Sequence, residues 1–76
     1  GTGPDRKEAC VWYGKAARQG HVSAQFRLAY HYDLGQGVEK DMTKAVKWYT
    51  AASRKGEARS LYRLGLLYAL GKGVEQ

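Results

Sequence analysis

Apolar residues recur along the chain at helical spacing. Ala45, Trp48, Tyr49 and Ala52 fall at i, i+3, i+4 and i+7, one face of an amphipathic helix. Asp41 just ahead is a natural N-cap, its carboxylate able to accept from the free amides of the first turn, and Gly56 provides the stop. The arrangement also stands 36 residues earlier: Pro4-Asp5 opens, Glu8 takes the capping-box position, Ala9, Trp12, Tyr13 and Ala16 form the face, and Gly20 closes. A second stripe, Ala24, Leu28 and Tyr32 with Gln25 and Ala29 alongside, predicts a helix over 22–34. Ser60, Leu64 and Tyr68, with Leu61 and Gly65, repeat it. Small residues at Ala29 and Gly65 predict close helix–helix approach. No run alternates with period two, so the pattern predicts an all-α chain of about four helices.

The repetition extends to the turns. LGQGV at Leu34–Val38 returns as LGKGV at Leu70–Val74, and sliding the chain by 36 residues also superposes Asp5 on Asp41, Trp12 on Trp48, Arg27 on Arg63 and Tyr32 on Tyr68. A period of this length points to stacked helical hairpins rather than one globular core. The organisation is a single array: 5–20 as the second helix of one unit, 21–56 as a full unit, 57–76 as the first helix of the next. Gly35 and Gly37 reverse the chain without a Cβ clash, and Val38 can fold back as an apolar plug. Glycines that expose amides to a phosphate are the rival reading, but no strand precedes the motif and no Lys-Ser/Thr follows it.

Seventy-six residues lie near the lower limit for a self-sufficient core. Stacked repeats bury one another well from roughly three units upward. With about two, the chain reads as an excerpt from a longer array, its leading Gly1-Thr2-Gly3 as a cloning remnant; a natural two-repeat protein is the other reading. The formal charge of +6 favours acidic partners, although a basic face also serves solubility. No stretch is long or apolar enough to span a membrane, and no signal peptide is visible. The single Cys10 aligns with Val46, which marks it as a small packing residue.

These residues resemble the Sel-1-like repeat family, α/α solenoid relatives of tetratricopeptide repeats. The pattern is carried by Ala24, Leu28-Ala29, Tyr32, Gly35, Gly37-Val38, Asp41, Lys44-Ala45, Trp48-Tyr49, Ala51-Ala52 and Gly56. The flanking halves supply Ala9, Trp12-Tyr13, Ala16-Ala17 and Gly20, then Leu64-Gly65, Tyr68, Gly71 and Gly73-Val74. Ala29, Ser53 and Ser60 depart mildly from it, and His31 stands where the family has an apolar residue. The resemblance implies a right-handed superhelix of antiparallel helical hairpins whose concave surface binds proteins as an adaptor or scaffold. It also implies settings such as bacterial envelope and secretion systems, or eukaryotic signalling and quality control; the family does not specify a partner.

In such solenoids the first helix of each hairpin lines the concave side. Outside the core stripe that leaves Phe26, Arg27, Tyr30 and Asp33, then Tyr62, Arg63, Leu66 and Ala69. Aromatic and arginine pairs at equivalent steps suit an extended or helical peptide carrying acidic groups, since arginine forks match carboxylates and aromatics supply contact area. The alternative is that the rings finish the packing and the arginines are solvated. The last helix is apolar almost all round, from Leu61 to Leu70, as in a buried helix. Left uncovered, it would promote self-association.

No catalytic constellation stands out. His21 and His31 are not repeated at Glu57 and Leu67, one cysteine and two histidines do not make a metal set, and the acids scatter among caps and turns. No cofactor, metal site or small-molecule substrate is expected, and the reading is non-catalytic. Nucleic acid or an anionic surface is the alternative partner, through Lys44, Lys47, Arg54, Lys55 and Arg59 with Trp48 and Tyr49 interleaved. Those two aromatics sit on the core face, where they are poorly placed to stack on bases.

Overall fold

The structure is a computed structural model that describes residues 6–71, with side chains from Lys7 onward. The expected cap at Asp5 and the second turn at Gly73-Val74 lie outside the described residues. Within them are four helices and no strand: α1 (Arg6–Arg18), α2 (Val22–Leu34), α3 (Met42–Ser53) and α4 (Ala58–Leu70). Each packs on the next in chain order, as helical hairpins do.

The caps explain where the helices start. Asp41 Oδ1 accepts from the Lys44 amide at 3.0 Å and opens α3. Glu57 opens α4 in the same way, accepting from the Ser60 amide at 3.0 Å. Gly20, Gly35 and Gly56 have positive φ, and the residue after each closes the helix end with a bond five residues back: His21 to Ala16, Gln36 to His31, Glu57 to Ala52. At Gly35, an added Cβ would also meet the Lys40 Cβ at 3.1 Å.

The turn between α2 and α3 is tied down by His31, the residue that breaks the repeat. Its Nδ1 lies 2.9 Å from the Gln36 carbonyl. A carbonyl can only accept, so Nδ1 carries the proton. The Cys10 thiol of α1 reaches the same oxygen at 3.3 Å. Val38 lies half-buried and lines one pocket together with Leu28, Tyr32 and Trp48.

Two clusters make the core. Phe26 and Ala29 of α2 meet Ala45, Tyr49 and Ala52 of α3 and Leu67 of α4. Ala17 of α1 meets Ala24 and Leu28 of α2, with Trp48 packed against both clusters. Gln25 Nε2 donates to the Ala17 carbonyl at 3.2 Å, joining α2 to α1.

Three expectations need correction at the ends of the stack. On α1 the buried residues are Cys10, Gly14 and Ala17, while Trp12 is 62% exposed, because among the described residues this helix packs on α2 with one side. On α4 only Ser60 and Leu67 are buried, so this helix is apolar without being enclosed. Gly65, expected at a close helix approach, faces open space.

Two outcomes follow from these local features. Gly65→Ala should stabilise the dilute protein by about 0.5–1 kcal/mol in urea unfolding, since the site is an exposed helix interior with no neighbour to clash. Burial raises the Glu57 carboxyl, but the Arg59 bond and charge and the Ser60 amide outweigh it and hold the group below its ordinary value of 4.5. A depressed pKa contributes stability that is present above the ordinary value and lost as pH falls through the folded one. Glu57→Gln should therefore lose less stability than the parent between about pH 5 and pH 3, measured by urea melts at each pH.

Candidate functional site

Neighbouring first helices α2 and α4 leave a shallow groove between them, of about 430 Å³, lined by Phe26, Tyr30, Ala58, Arg59, Tyr62 and Arg63. Helical spacing places these side chains together: Phe26 and Tyr30 are four apart on α2, while Arg59, Tyr62 and Arg63 stand at i, i+3 and i+4 on α4. Phe26 is buried and forms the floor, its ring 5.9 Å from Tyr30 and 6.0 Å from Tyr49. Tyr62 stands out from the wall, 69% exposed.

Both arginines are engaged. Arg59 lays its guanidinium 4.1 Å from the centre of the Phe26 ring and pairs through Nε with Glu57 at 3.3 Å. Arg63 donates from Nε to Asp33 Oδ2 at 3.1 Å and again from Nη2 to the same oxygen. The Tyr49 hydroxyl donates to that oxygen too, at 2.9 Å. One buried carboxylate thus joins α2, α3 and α4. Burial first, and then the adjacent carboxylate, push the Tyr49 hydroxyl far above its ordinary range. The hydrogen bond to Asp33 raises the Arg63 guanidinium in turn, so Arg63 keeps its charge throughout the neutral range.

Of the residues singled out in the sequence, Phe26, Tyr30, Tyr62 and Arg63 come together in the groove. Asp33 lies behind it, buried, and Arg27 and Leu66 lie outside its lining. Sequence reasoning missed Arg59 as a groove residue, although its i, i+3, i+4 relation to Tyr62 and Arg63 was there to find. It also missed the role of Asp33 as an internal acceptor.

The basic run offers no platform for bases. Tyr49 is fully buried, Trp48 is half-buried beneath the Lys47 ammonium, Lys44 lies over the Tyr32 ring, and Lys55 donates to the Gly20 carbonyl at 2.7 Å. Among the described residues there is no group of three potential metal ligands, and no helix is long and apolar enough to cross a membrane.

Stacked helical hairpins with a groove between successive first helices define an α/α solenoid. The Sel1 repeat profile matches residues 1–21, 22–57 and 58–76, and the chain belongs to the Sel1 repeat family. A crystal structure of a Sel1 repeat protein from Oxalobacter formigenes is similar to it at a TM-score of 0.88 and 40% identity, over 91% of this chain. The chain spans 28% of that protein's length. No curated protein matches it by sequence. Sel1 repeats are, as a family, protein-interaction modules and typically non-catalytic scaffolds.

The Asp33 junction generates a contrast between two equivalent arginines. Arg63→Met would strand a buried carboxylate; a cost of about 3 kcal/mol is expected, the low end for one-sided loss of a buried pair because Arg63 is itself partly exposed. Arg27→Met, at the exposed counterpart, should change stability by less than about 0.5 kcal/mol. Urea melts of both variants test the difference.

Proposed function

We propose that the chain is a protein-interaction module that takes an apolar or aromatic side chain of a peptide into the groove between α2 and α4. The observation that carries this reading is the combination of an open apolar lining with two wall arginines already engaged by Asp33, Glu57 and the Phe26 ring. Such walls present ring faces and aliphatic stems, which recognise area and shape. The charge of +6 attracts an acidic partner from a distance, and exposed Arg27 lies on the same helix as the groove floor. Acidic flanks around an apolar anchor are therefore the peptide chemistry that suits it.

Selection from a random peptide library displayed on phage tests this directly. Peptides sharing an aromatic or large aliphatic residue should be enriched. The synthetic form of one should bind about tenfold more weakly after Tyr62→Ala, or after its own anchor is changed to Ala. Circular dichroism of the variant should be unchanged, since Tyr62 is exposed. Failure to enrich, equal binding by Tyr62→Ala, or stronger and steeply salt-dependent binding to random oligonucleotides would each overturn the reading.

A further inference from the structure

The groove floor is layered. The Phe26 ring is buried, 6.0 Å from Tyr49 and 5.9 Å from Tyr30, with which it stacks at an angle of 28°. On Phe26 lies the Arg59 guanidinium, its carbon 4.1 Å from the ring centre. These contacts occupy the sides of α2 and α4 that face each other.

Glu57 fixes that guanidinium in place. Arg59 Nε donates to its Oε1 at 3.3 Å and to its Oε2 at 3.4 Å, and Nη2 donates to Oε2 at 3.3 Å. The carboxylate is itself anchored, because Oε1 caps α4 by accepting from the Ser60 amide at 3.0 Å. One edge of the guanidinium is thus taken by the cap and one face by Phe26. The side chain nevertheless stays 52% exposed and lines the groove, so the opposite face of the plane opens on the cavity.

The edge and the face of a guanidinium recognise different chemistry. The edge donates to carboxylates, whereas the face is weakly hydrated and attracts the negative face of an aromatic ring. An aliphatic side chain of equal volume gains the same burial and nothing from the charge. We propose that Arg59 is the specificity-determining residue of the groove, and that the peptide side chain it admits is aromatic. The ring lies on the outer face of the guanidinium and completes a sandwich with Phe26. This rests on the peptide reading above and narrows it: buried area supplies the bulk of the contact, and Arg59 decides between aromatic and aliphatic.

Two capped peptides, Glu-Glu-X-Glu-Glu with X either phenylalanine or cyclohexylalanine, separate the two properties. Their rings share one carbon skeleton, and only the first has a π face. Titration of the 76-residue chain, followed by ¹H–¹⁵N and methyl correlation spectra that include the Arg59 Nε–H, gives site and affinity together. The phenylalanine peptide should move that signal upfield through its ring current. It should also bind about fivefold more tightly than the cyclohexyl peptide, the factor that a cation–π contact gives at a half-exposed site. Arg59→Met keeps an apolar stem and removes the charged plane, so the preference should vanish or turn toward cyclohexyl, the more apolar ring. Equal or tighter binding of the cyclohexyl peptide by the parent, with Ala58 and Tyr30 signals moving, overturns the aromatic assignment and leaves the peptide groove standing. A preference that survives in Arg59→Met overturns it as well. If neither peptide moves the groove signals, both readings fall together.

Discussion

A carboxylate taken out of water must be matched by donors, and at Asp33 the donors come from two other helices. Tyr49 brings α3 to it and Arg63 brings α4. Apolar contact between helices is tolerant of sliding, because methyl and methylene groups accept one another at many offsets. Three donors converging on one buried oxygen tolerate little. The junction therefore sets the height of α4 along α2, and with it the distance between Phe26 on one helix and Tyr62 on the other. The groove takes its width from an interaction that lies behind it.

The 36-residue period made the fold legible. Core alanines, glycine turns and the Asp41 cap all recur or have counterparts, and each obeys a local rule of spacing or backbone conformation that needs no knowledge of the third dimension. What gives this stretch its individuality departs from the period. Asp33 faces Ala69, His31 faces Leu67, Arg59 faces Ser23 and Glu57 faces His21. His31 does hold its turn, but the Gln36 carbonyl it meets is a backbone group that no composition rule flags.

The stripe Phe26, Tyr30, Asp33 shows why the site was harder to read than the fold. Its i, i+4, i+7 spacing was visible, and it lies at the border between the core stripe and the solvent face of α2. Whether such a border is covered depends on how far the next hairpin leans over it, a quantity fixed by contacts thirty residues away, such as Arg63 with Asp33. Phe26 and Asp33 turned inward there while Tyr30 remained at the rim. The exposure of α4 has the reverse cause: its composition describes the neighbours such a face can take, and composition alone cannot say whether one is present.

The state of the arginines decides what kind of recognition the groove supports. A free guanidinium at its wall would favour a carboxylate, and stripping its water would cost part of what the contact returned. Here the Nε and Nη2 edge of Arg63 already meets Asp33, and Arg59 is stacked on Phe26 with its edge toward Glu57. A ligand entering the groove displaces water from apolar faces and leaves these pairs intact. Its fit then depends on buried area, through the hydrophobic effect, and varies little with salt. The net charge acts over a longer range, and for the acidic-flanked peptide proposed above it would raise the encounter rate before any contact forms. On the peptide reading proposed above, affinity and approach are governed by different residues, so substitutions on the groove floor would act on dissociation and those on the outer basic surface on association.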